Sequence, residues 1–170
     1  MGWTPPAIGA RGTWTRTFTA ADVEAYAAIT GDRNPLHFDS DFAARTRPGR
    51  LIVHGGLTTG LFNALVAEQL PGPGSVFLSQ RWEYPAAVGI GESVTAEVEV
   101  VETRADKPVT TLRCRAWLAD GTEVLPGPGS VFLHQEWDYP APAHLGDTVT
   151  AEAEVIEART DKPITGRRPG

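Results

Sequence analysis

His54 to Leu70 reads HGGLTTGLFNALVAEQL, followed by Pro71. Leu57, Leu61, Leu65 and Leu70 recur at helical spacing, and Phe62 and Val66 widen the stripe they form. So broad an apolar face predicts a helix buried on most of its surface, with a sheet wrapped against it. Pro71 ends it, because a proline ring cannot donate into a continuing helix. Gly55 and Gly56 open the helix and Gly60 follows one turn on, stripping its first turn of side chains and leaving backbone N–H groups accessible.

The sheet is legible on the C-terminal side. Between Glu92 and Arg104, Val94, Ala96, Val98 and Val100 alternate with Thr95, Glu97 and Glu99, a half-buried strand with one wet face. KPVTTLRCRAWL follows, with Leu112, Cys114, Ala116 and Leu118 on one face, and ADGT (Ala119 to Thr122) makes a hairpin turn. SVFLSQRWEYP (Ser75 to Pro85) reads as a further strand. On the N-terminal side, Thr13 to Phe18 alternate as a strand. Thr19 stands three residues before Asp22, a capping-box start, and Gly31 supplies the stop of a helix through Val23, Tyr26, Ala27 and Thr30. The fold class is therefore α+β, an antiparallel sheet built around a buried helix.

Composition narrows the partners. At 170 residues with 41% apolar and 21% charged, the chain can bury a core without staples. A net charge of −6 argues against nucleic acid. Cys114 is the single cysteine, expected in the core, so no intrachain disulfide can form and a cytoplasmic home is expected. MGWTPPAIGARG has Pro and Gly where a secretory signal would be apolar, and no stretch is long enough to span a bilayer. No metal-ligand spacing is visible, and His134 and His144 read as surface residues.

A segment is written twice. LPGPGSVFLSQRWEYPAAVGIGESVTAEVEVVETRADKPVT from Leu70 recurs from Leu125 as LPGPGSVFLHQEWDYPAPAHLGDTVTAEAEVIEARTDKPIT, with roughly two-thirds of positions identical. The chain thus divides into a main domain over 1–125, a duplicated two-strand segment over 126–165 copying 71–110, and a disordered tail over 166–170. Two nearly equal apolar patterns compete for the same place beside the helix. The first copy, joined directly to the helix, is expected to win. The second is expected to form an added hairpin, or to supply a last strand through Ser130, Val131 and Phe132. Exchange of the copy between chains is the rival outcome.

The chemistry-bearing stretch is GDRNPLHFD, Gly31 to Asp39. On residue types alone it reads first as turn chemistry, with Asp32 capping and His37 packing. The second reading on the same residues is a water held between a carboxylate and an imidazole, beside the N–H groups at Gly55. GDRNPLHFDSDFA, then LIVHGGLTTGLF, then LPGPGSVFLSQ and VGIGESVTAEVEVVETRADKPVTTL resemble the MaoC-like (R)-specific enoyl-CoA hydratases, in order and spacing, over about residues 5 to 125.

The resemblance implies a hot-dog fold, usually paired as a homodimer, and hydration of a trans-2-enoyl-CoA to the (R)-3-hydroxyacyl-CoA. Asp32 and His37 become the water-activating pair, Asn34 the loop support, Gly55 the oxyanion donor, and Asn63 and Val66 the acyl-contact positions. No cofactor is implied, coenzyme A entering only with the substrate. Arg45, Arg47, Arg50, Arg104 and Lys107 are candidates for its phosphates. Alternatives are a hot-dog thioesterase and an inactive chimera. Two departures stand out: Gly56, where relatives carry a large apolar residue, and the second copy, which opens where relatives end with a short strand.

Overall fold

The computed structural model describes residues 4–125, the backbone of 134–138, and residues 141 and 143–150. Strand β1 (Arg11–Thr17) leads into helix α1 (Ala20–Thr30) through the expected capping box. The Thr19 N–H donates to Asp22 Oδ2 at 2.8 Å, and the Asp22 N–H returns to Thr19 Oγ1 at 3.3 Å. Gly31 closes α1 at φ 78°, a left-handed conformation that costs glycine least. A 3₁₀ turn (Pro35–His37) and a short helix α2 (Ser40–Ala44) follow. Sequence periodicity gave no sign of α2, because five residues are too few to show a period.

Helix α3 (Gly55–Glu68) is the predicted central helix, shorter by a residue or two at each end. It buries Leu61, Phe62, Leu65 and Val66, of which Phe62 and Leu65 are inaccessible to solvent; fully burying a side chain of this size is worth about 1.5–3 kcal/mol. Against it lies a sheet in the order β1–β3–β4–β5, all antiparallel, with β3 (Ser93–Thr103), β4 (Thr110–Leu118) and β5 (Glu123–Leu125). The two alternations read from sequence meet in register: Val94 faces Leu118, Ala96 faces Ala116, Val98 faces Cys114 and Val100 faces Leu112. All four β3 members are fully buried. The opposite face carries polar pairs, such as Thr15 with Thr95 at 2.9 Å, and ion pairs of Arg113 with Glu99 and Arg115 with Glu97.

The expected strand over Ser75–Pro85 contracts to β2 (Ser79–Glu83), which stands outside the four-stranded sheet. Trp82 anchors it, stacking on Phe62 of α3 with ring centroids 4.8 Å apart. Its ladder partner is β6 (His134–Asp138), from the second copy. The duplicated segment contributes one described strand, paired to its own original; of the added hairpin expected there, residues 151–165 lie outside the described residues. Residues 143–150, which align with 88–95 and so reach only the first three positions of β3, form no strand. The proposed last strand at 130–132 and the tail at 166–170 lie outside the described residues. Cys114 is largely buried, and burial pushes its thiol up to about 12. His144 is exposed beside Asp147, while the side chain of His134 is not described. No helix among the described residues is long and apolar enough to cross a membrane.

Candidate active site

The loop from Gly31 to Asp39 is a relay of side-chain caps. Asp32 Oδ1 accepts from the Asn34 N–H at 3.1 Å, and Asn34 Oδ1 accepts from the Leu36 N–H at 3.0 Å, capping the 3₁₀ turn. Asp39 Oδ1 then accepts from the Phe42 N–H at 2.9 Å and caps α2. The turn reading of Asp32 and Asn34 is therefore correct, and it leaves Asp32 Oδ2 outside these caps.

Three hydrogen bonds stitch this loop to the segment entering α3. The Ile52 N–H donates to the Leu36 carbonyl at 3.3 Å, His37 Nδ1 lies 2.8 Å from the Ile52 carbonyl, and His54 Nε2 lies 3.0 Å from the Asp32 carbonyl. A carbonyl can only accept, so His37 carries its proton on Nδ1 and keeps a lone pair on Nε2. Likewise His54 is protonated on Nε2, which also sits 3.8 Å from Asp32 Oδ2. The two imidazoles stack, with centroids 3.7 Å apart. His37 is buried; burial lowers its pKa, the Ile52 hydrogen bond raises it, the neighbouring His54 lowers it and Asp32 raises it, leaving a net downward shift. Asp32 keeps 49% of its side chain exposed, so solvent reaches the carboxylate.

Sequence reasoning missed His54 as a side chain, although it stands immediately before the glycine pair. It is 2% exposed, and its Nδ1 has no hydrogen-bond partner among the described residues. Asp32, His37 and His54 each offer a ligand atom within 4.8 Å of the others, a trio that could also hold a metal ion and that no sequence spacing announced.

At the start of α3 neither the Gly55 nor the Gly56 N–H has a hydrogen-bond partner among the described residues. Both glycines are required by tyrosines laid over them. A Cβ at Gly55 would lie 2.9 Å from Tyr84 Cε1, and one at Gly56 would lie 1.9 Å from the Tyr26 hydroxyl oxygen. Tyr26 thus fills the space that a large side chain at position 56 would take, which accounts for that departure. Gly60 differs: a Cβ there would meet nothing within 4 Å. The phenols of Tyr26 and Tyr84 are both shifted upward, chiefly by burial, so they stay protonated near neutral pH.

These groups open onto a cavity of about 2020 Å³. Asp32, Asn34, His37, His54 and Gly55 line it, and along α3 the lining runs through Thr59, Asn63 and Ala67 at helical spacing. Of the two expected acyl-contact positions, Asn63 lines the cavity. Val66 does not: it is 4% exposed and packed within the protein, because one residue along a helix turns the side chain about 100°. Of the candidate cations, Arg47 and Arg50 line the cavity, Arg50 paired with Glu92 at 2.7 Å. Arg45, Arg104 and Lys107 are not among the lining residues, and Arg104 is paired with Asp106.

Residues 9–113 match the family model described as a MaoC-like domain. Over 126 residues the chain is 44% identical to the (R)-specific enoyl-CoA hydratase of Aeromonas caviae, spanning 74% of this chain and 94% of that relative. Among solved structures, the (R)-hydratase from A. caviae involved in PHA biosynthesis superposes with a TM-score of 0.68 at 42% identity, covering 72% of this chain and 92% of that one. A Mycobacterium tuberculosis protein with a double hotdog fold superposes with a TM-score of 0.60 at 24% identity, a likeness of fold alone, over 71% of this chain and 40% of that one.

Proposed function

The chain belongs to the MaoC-like domain family, and we propose that it adds water to trans-2-enoyl-CoA to give (R)-3-hydroxyacyl-CoA. The observation that carries this reading is the convergence on one cavity of Asp32, a neutral His37 and the Gly55 N–H, which has no partner among the described residues. Asp32 Oδ2 and His37 Nε2 hold the water. Its oxygen bonds to C3 as His37 Nε2 takes one proton, and the C2–C3 π pair moves toward the thioester. The Gly55 N–H, at the positive end of α3, stabilises the enolate oxygen that results. Return of the proton from His37 to C2 completes the addition, with no atom or electron left over.

Asn34 supports this arrangement through its cap, and the acyl chain runs along Thr59, Asn63 and Ala67. Arg47 and Arg50 at the cavity are the cations placed to meet coenzyme A phosphates. The reading needs no cofactor beyond the substrate and takes the compartment as cytoplasmic. Its test is a short trans-2-enoyl-CoA followed by enoyl absorbance, with free thiol titrated in parallel. Absorbance should fall with no thiol released; stoichiometric thiol would assign a thioesterase in its place.

A further inference from the structure

The β2–β6 ladder has an internal symmetry that neither strand shows alone. By the alignment of the two copies, Ser79, Gln80, Arg81, Trp82 and Glu83 correspond to His134, Gln135, Glu136, Trp137 and Asp138. The observed register pairs Ser79 with Asp138, Gln80 with Trp137, Arg81 with Glu136, Trp82 with Gln135 and Glu83 with His134. Each residue thus faces the counterpart of its mirror position, about a two-fold axis through Arg81 and Glu136. This is the pairing that two identical strands would make on meeting antiparallel across a dimer axis.

We propose that β6 is an internal second copy of the edge strand. It occupies, within one chain, the place that β2 of another copy of this chain would take, and so closes this edge to self-association. The substitutions separating the copies favour that outcome. In this register two β2 strands would set Arg81 against Arg81, and two β6 strands would set Glu136 against Glu136; like charges directly opposite destabilise a ladder. The mixed pair sets Arg81 against Glu136.

Connectivity works in the same direction. Eight residues separate Leu125 from His134, a reach of at most about 30 Å. A tether that short gives an effective concentration of order millimolar, which a second chain at micromolar concentration does not match. A dimer of this chain therefore uses another face.

Cysteines placed at the pseudo-axis read the pairing directly, without reference to the reaction. Arg81→Cys, Glu136→Cys and the double variant are oxidised at micromolar concentration and resolved by non-reducing electrophoresis and intact mass. The native Cys114 does not compete, being largely buried. The double variant should form a disulfide within one chain, and neither single variant should form a covalent dimer. Ser79→Cys with Asp138→Cys repeats the test at the end of the ladder, should substitution at the axis disturb folding. A covalent dimer of Arg81→Cys would show that β2 pairs with β2 and overturn the proposal. So would a double variant that cross-links only between chains, or both double variants keeping free thiols.

Discussion

His37 gains its chemistry from one hydrogen bond and from burial. The Ile52 carbonyl fixes the proton on Nδ1, and burial keeps the ring neutral below the ordinary histidine range. A base held neutral in this way should retain activity as pH falls through 6.5, the unfolded value, and lose it only on the acid side of its lowered pKa. Stability follows the same sign. Below pH 6.5 the unfolded chain binds a proton that the folded ring resists, so this group makes the fold less stable as pH falls toward the folded pKa. A pH–rate profile read beside thermal melts at each pH checks both directions. The Tyr26–Gly56 fit is equally specific. Gly56→Ala should cost about 1–3 kcal/mol by overpacking, and less of that in a Tyr26→Ala background, in a double-mutant cycle of melting temperatures. The caps made by Asp32 and Asn34 were legible as turn chemistry, whereas the water-activating roles of Asp32 and His37 came only from the family resemblance, because the same residue types also suit a turn. His54, Tyr26 and Tyr84 were not legible, because their contacts join segments far apart in the chain.

Among the elements, the clearest were those whose pattern and partner agree. The alternation in β3 and β4 gave their facing register, since a slip of one residue would turn Val94, Ala96, Val98 and Val100 to solvent. Helix α1 was equally explicit at both ends. Thr19→Ala should cost about 0.5–2 kcal/mol through loss of the cap, measurable as a lower denaturant midpoint with an unchanged slope. By contrast β2 looked like an eleven-residue strand and is five, because only its stretch about Trp82 has both a ladder partner and the Phe62 ring beneath it. Val66, expected as an acyl-contact position, is buried and not among the cavity-lining residues. Identity to a motif position does not say which face of α3 points into the cavity, and Asn63 and Ala67 mark that face.

For the whole molecule, the duplication was plain in the sequence, but its destination was not. Two copies with the same apolar pattern satisfy several pairings, and the proposed choice rests on the opposite charges of Arg81 and Glu136 together with a short tether. The trio Asp32, His37 and His54 also emerges only at this scale, where the loop meets the start of α3. In the proposed reaction those side chains hold water and protons without an ion, so exhaustive chelation should leave hydration unchanged; loss on chelation with recovery on adding a divalent cation would reassign them as ligands. The most direct measurement is the rate of trans-2-enoyl-CoA hydration by the parent, Asp32→Asn and His37→Ala, each confirmed folded by circular dichroism. A fall of about 10²- to 10⁴-fold in both variants is expected for a positioned acid–base pair. Hydration that persists near the parent rate in either one would contradict the assignment of the water to Asp32 and His37.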